Sequence, residues 1–244
     1  MENMMLRGKP ENFRRRPRSP YLVTPKPPPD GCQHSPRYEV CKYAAPFAWK
    51  YREYTPNQIY TEWIPRLSQD VISAFQSFIR PKKSRCLWLE GTTTAEEKSN
   101  ILSSAKGSGI PTVTKWCKKG ATMTIVYDLI SQFATLLPEN FARGPALSEQ
   151  NLKDIHKSID VALEVLDALL DLAPKALLCF INNLEEVETD DTVEELGRLV
   201  DVLLRKREGK RFKLLMLTSE NSRVLAERLD ALHHLKVNLI LEWE

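Results

Sequence analysis

Between Cys86 and Leu102 the sequence reads CLWLEGTTTAEEKSNIL, and three of its residues have the types and order that can hold a phosphate: Gly91, Lys98 and Ser99. An apolar run ends in a glycine, a short polar loop follows, and a Lys-Ser pair leads into a run of helical character. A phosphate-cradling loop of the form G-x-x-x-x-G-K-[ST] offers backbone N–H groups to the phosphates, a lysine to the terminal ones and a hydroxyl to a metal ion. Here the Lys-Ser pair arrives one residue late, and Glu97 stands where the second glycine belongs. A carboxylate about 4 Å from a phosphate costs on the order of 4 kcal/mol at an effective dielectric near 20. Micromolar binding is worth only roughly 8 kcal/mol. The loop keeps the outline of a phosphate site and has lost part of its chemistry.

No other constellation competes with it. The five cysteines, Cys32, Cys41, Cys86, Cys117 and Cys179, are odd in number, scattered and without a C-x-x-C pair. That pattern argues against a disulfide framework and a zinc site, and favours a reducing compartment. The four histidines, His34, His156, His233 and His234, lack metal-ligand spacing. No G-x-S-x-G occurs, so a nucleophile elbow is excluded.

The elements that must position the loop are legible from periodicity. Ile59, Trp63, Leu67, Val71, Phe75 and Phe78 mark an amphipathic helix that Pro81 ends. Apolar runs of strand length lie at 86–90, 112–116, 176–182, 212–218 and 236–242, the third and fourth nearly continuous, as expected of strands buried on both faces. Helical patterns lie between them: 95–105, 123–137, a long one over 151–173, 191–209 and 221–232. Strands alternating with helices call for a parallel sheet flanked by helices.

The first fifty residues differ in kind. They hold nine of the sixteen prolines, with ten Lys/Arg against four Asp/Glu, a net of +6, while the remainder holds 25 against 28, a net of −3. Residues 1–45 are therefore expected to be a disordered, basic, proline-rich leader, and 56–244 the folded domain. Arg14, Arg15, Arg16 and Arg18 could serve as a nuclear address, against a default expectation of the cytoplasm. The absence of a long apolar run excludes a spanning helix, and the net charge of the body argues against nucleic acid as a partner.

Three segments, taken in order, resemble the landmarks of P-loop NTPases, and more narrowly the NACHT-type, STAND-class domains of filamentous fungi. AFQSFIRPKKSRCLWLEG resembles the approach to their phosphate loop, IVYDLISQFATLL a following helix, LCFINNLEE their Walker B strand and LLMLTSEN a later strand. The resemblance covers about residues 61–244 and implies a three-layer α/β core with a mostly parallel five-stranded sheet. The implied strand order is 236–242, 86–90, 212–218, 176–182, 112–116. It also implies site residues: Gly91, Lys98 and Ser99 for the nucleotide, Ser99 and Asn182 at the metal, and Glu186 as general base beside Glu185. The family's metal-holding aspartate is here Asn182, and its arginine after the later strand is Glu220. The family continues into a lid and sensor repeats, whereas this chain reaches Glu244 directly after the fifth candidate strand, so a bare core is expected.

Three functions stay open on these grounds. The first is a non-catalytic or weakly active NACHT-like domain that binds a protein partner or regulates, with no cofactor. The second is an ATP- or GTP-binding NTPase using Mg²⁺ through an unconventional loop with Lys98, Ser99 and Glu186. The third is an accessory protein of a fungal pathway.

Overall fold

The computed structural model describes residues 35–50, 69–81, 83–91, 95–120, 122–205, 209–229 and 233–236. Four strands of five to eight residues carry the sheet: β1 (Arg85–Glu90), β2 (Thr112–Trp116), β3 (Ala176–Asn182) and β4 (Arg211–Thr218). A three-residue β5 (His234–Lys236) lies along the outer side of β1. All pairings are parallel and the order is β2-β3-β4-β1-β5, the order that the resemblance implied. Of the expected strand 236–242, only Lys236 falls within the described residues.

The apolar runs at β3 and β4 are continuous because helices cover both sheet faces. One face carries Trp88, Val113, Cys179, Ile181, Leu214 and Met216 against α4 (Thr122–Thr135), α6 (Ile159–Leu172) and α7 (Val193–Leu204). The other carries Leu87, Leu89, Leu178, Phe180, Leu215 and Leu217 against α2 (Gln69–Ile79) and α3 (Ala95–Gly107). The free edge of β2 is covered by one side chain: Gln132 of α4 accepts from the Thr114 N–H at 2.9 Å and donates to the Thr114 carbonyl at 2.7 Å. An amide thus takes the place of a neighbouring strand.

Three expectations need correction. The leader was drawn to residue 45, but α1 (Pro36–Lys50) is a helix with Val40 fully buried and Ala44 nearly so against α4. Arg37 donates to the Thr135 carbonyl at 2.7 Å, and Glu39 pairs with Arg143 at 2.7 Å. Local proline content misled here: the i, i+4 pair Val40/Ala44 supplies a burial stripe that a proline count does not register. Residues 1–34 and most of the expected helix from Ile59 lie outside the described residues. The long helix over 151–173 is two helices, α5 (Glu149–Asp154) and α6, because Ser148 and Ser158 each cap a new start by accepting from the N–H of Asn151 and Asp160. The helix expected over 221–232 is the short α8 (Arg223–Arg228), capped by Ser222.

β4 also carries a charge into the core. Lys213 is fully buried, its Nζ lacks a hydrogen-bond partner, and the Phe78 ring lies 5.4 Å away. Burial, then the nearby Arg211 and Arg85 charges, push its ammonium down to about 8. The native state therefore holds fewer protons than the unfolded chain between pH about 8 and the ordinary lysine value of 10.5, and stability rises with pH across that window. Urea titrations from pH 7 to 10.5 are expected to show this rise in the wild type and its loss in Lys213→Met, which should also be the more stable protein at pH 7. A second outcome tests α1: Val40→Asp, which buries an unpaired carboxylate, should cost about 2–4 kcal/mol in the same assay.

Candidate functional site

Parallel pairing brings the C-terminal ends of β1, β3 and β4 to one edge, and the candidate residues gather there. β1 runs into Gly91, whose φ of 94° is a conformation side chains disfavour, so the chain turns sharply off the sheet at this point. Its N–H donates to the Thr218 carbonyl at 2.9 Å, and Trp88 Nε1 donates to Thr218 Oγ1 at 2.8 Å, fixing the ends of β1 and β4 together. α3 then begins at Ala95 and returns Lys98 over the strand ends. The flanking strand and helix read from the sequence are present, and the loop between them, residues 92–94, lies outside the described residues.

Lys98 points inward. It is only 4% exposed, and its Nζ donates to Asn183 Oδ1 at 2.5 Å and to Ser219 Oγ at 2.8 Å. Asn183 follows β3 directly and holds a left-handed backbone with φ of 59°, a conformation asparagine tolerates better than most residues. Its amide donates in turn to Glu186 Oε1 at 2.6 Å. Ser219 follows β4, and its N–H donates to Glu185 Oε1 at 2.6 Å. Two chains of hydrogen bonds therefore leave the ammonium: one through Asn183 to Glu186, the other through Ser219 to Glu185. Burial raises the Glu185 pKa, with the Ser219 N–H opposing that rise.

Each predicted site residue can be placed in this arrangement. Gly91, Lys98 and Glu186 lie at the same sheet edge, Glu186 exposed in a 3-10 turn (Leu184–Val187). Ser99, next to Lys98 in α3, is half-buried. Asn182 is different. It is fully buried, and neither its Nδ2 nor its Oδ1 has a partner. It shares a strand face with Phe180 and Leu178, which pack in one cluster with Ile101, Leu102 and Ala105 of α3. Ser219, with Thr218, was expected from the sequence as a polar tip on the later strand, whereas Asn183, the other residue that holds Lys98, was missed. Its signal was slight, one more polar residue after an apolar run.

The described residues at the expected metal position are a poor match for Mg²⁺. The ion takes oxygen ligands at near-octahedral geometry, including one or two carboxylates. At the expected metal position stands a buried neutral amide, and the adjacent acids Glu185 and Glu186 are engaged by Ser219 and Asn183. Among the described residues no group of three or more His, Cys, Asp or Glu could hold a metal ion. Two cavities, of about 330 Å³ beside Cys86 and Phe212 and about 350 Å³ between Leu163 and Arg198, both lie away from Lys98.

No family model matches the sequence, and no curated protein matches it. Among solved structures the fold is similar to a chain in "Structure of Drosophila ORC bound to AT-rich DNA and Cdc6", at 12% identity and a TM-score of 0.39, over 87% of this chain and 61% of that one.

The stability carried by the Lys98 contacts is measurable. Lys98→Met keeps the aliphatic stem and removes the donor to Asn183 Oδ1 and Ser219 Oγ, so it should lower unfolding free energy by about 1–3 kcal/mol in urea. A loss below about 0.5 kcal/mol would mean that these contacts carry no net stability.

Proposed function

We propose that this chain is a NACHT-like P-loop domain that does not turn over nucleotide and works as a regulatory or protein-binding module. The observation that supports this most is the state of Lys98. The cation that would meet a phosphate is buried and satisfied by Asn183 and Ser219. To bind phosphate it would have to leave both acceptors, and the phosphate would have to enter beside the Glu185 and Glu186 carboxylates. The order of the sequence landmarks supports the NACHT-like assignment.

The competing reading is a slow NTPase that uses Lys98, Ser99 and Glu186. One feature favours it: Glu186 is exposed and joined to Lys98 through a single residue, Asn183. Ligand linkage separates the two readings, because a nucleotide at a hundred times its Kd raises stability by about 2.7 kcal/mol. Thermal melts with millimolar ATP or GTP, with and without Mg²⁺, are expected to leave the melting temperature unchanged, with no phosphate released. A clear upward shift that vanishes in Lys98→Ala would overturn this reading in favour of nucleotide binding.

A further inference from the structure

The opposite edge of the sheet, where the strands begin, has a different chemistry. Arg80 follows α2, Lys83 and Arg85 lead into β1, Lys175 precedes β3, and Arg211 and Lys213 open β4. The segments are tied together. Ser84 Oγ donates to the Lys210 carbonyl at 2.9 Å and accepts from the Phe212 N–H at 3.0 Å, and the Arg211 N–H donates to the Lys175 carbonyl at 2.6 Å. Arg85 and Lys213 are direct neighbours in the β1–β4 register.

Among the described residues none of these six cations forms an ion pair, although Arg198, Arg205, Arg223 and Arg228 on α7 and α8 or beside them each do, with Asp160, Asp167, Asp190 and Asp201. Two of the six are met by backbone carbonyls at the end of α2, Arg211 donating to Ile79 at 2.6 Å and Arg85 to Ser77 at 3.3 Å, and the Phe78 ring lies beside the Lys213 ammonium. Arg211 Nε is buried without a partner, and so is the ammonium of the fully buried Lys213. A buried, unpaired ammonium is costly, and a nearby external anion would offset that cost.

We infer that this edge binds a polyanion through its phosphates, specifically the sugar-phosphate backbone of a nucleic acid, without reading sequence. Neighbouring strands lie ~4.8 Å apart, so the starts of β1, β4 and β3 form a front of roughly 10 Å. Charges repeat every ~3.4 Å of axis along one strand, so a front of this width faces a few phosphates at once. Of the exposed charged side chains leading into β1 and β3, Arg80, Lys83, Arg85 and Lys175 are cationic and Asp171, at the end of α6, is the one acid among the described residues. An acidic peptide helix would need apolar seats among them, whereas a phosphate backbone needs only the charges. The net charge of the body hid this edge because the acids Glu185, Glu186, Glu188, Asp190 and Asp191 gather beyond the C-terminal end of β3. This inference is independent of the nucleotide reading, which concerns the other edge.

The test is fluorescence anisotropy of the full chain with labelled single-stranded and duplex DNA over a range of salt. The triple variant Arg80→Glu/Lys83→Glu/Lys175→Glu changes only exposed positions, and its fold is checked by circular dichroism. Its affinity should fall about tenfold or more, and its slope of log K against log salt should shrink by about 2–3. The control Arg198→Glu/Arg223→Glu, on other helices, should lose clearly less. Equal losses in the two variants, or an unchanged salt slope in the triple variant, would overturn the assignment. So would poly-glutamate of matched charge displacing DNA as effectively as unlabelled DNA does, since that would point to an acidic protein.

Discussion

The parallel alignment of β4 between β1 and β3 is the constraint on which the rest of the structure depends. From Phe212 to Thr218 this strand is buried throughout, and its register runs unbroken against both neighbours. Such a strand needs helices on both faces, which is why α2 and α3 must cross one side while α4, α6 and α7 cover the other. Parallel pairing has a second consequence. All strand ends meet at one edge and all strand starts at the other, so residues far apart in sequence are sorted by chain direction into two separate surfaces.

At the C-terminal edge the sorting produces a closed polar network. Lys98 comes from a helix, Asn183 and Ser219 from the ends of two strands, and Glu185 and Glu186 from the turn between them. A buried ammonium is tolerated when its donors are met, and each link of the two chains satisfies another group. Two groups are left without partners, Glu185 Oε2 within the network and the amide of Asn182 beside it, the latter inside an otherwise apolar cluster. Such a group costs of order 1–3 kcal/mol. The Lys98 ammonium is met inside the protein, by Asn183 and Ser219.

At the opposite edge the same alignment gathers cations without their counter-ions. The arginines of α7 and α8 find carboxylates across helix–helix contacts, as Arg228 does with Asp201 at 3.1 Å while also reaching the Gly197 carbonyl. A Cβ at Gly197 would come within 2.1 Å of the guanidinium, so a larger residue there would displace the end of the Arg228 side chain. Among the described residues the cations at the strand starts form no ion pair, and Arg85 and Arg211 donate to carbonyls ending α2. The two edges therefore differ in sign as well as in burial.

Much of this was legible in the sequence. The continuous apolar runs of β3 and β4, the amphipathic helices between strands and the glycine at the end of β1 determined an α/β sheet and the place of the loop. Periodicity reports local burial, and here local burial was consistent with the fold. The places it misled are those where capping or a short stripe outweighs average composition: Ser158 divides one helix into two, and Val40 with Ala44 anchors α1 despite its proline-rich surroundings. What only the tertiary structure decided is which charges have partners. Lys98 meets Asn183 across 85 positions of sequence and Ser219 across 121, while Arg85 and Lys213 stand side by side with no acid between them. Electrostatic energy depends on separation in space, and that separation is set by strand order, which no local pattern contains.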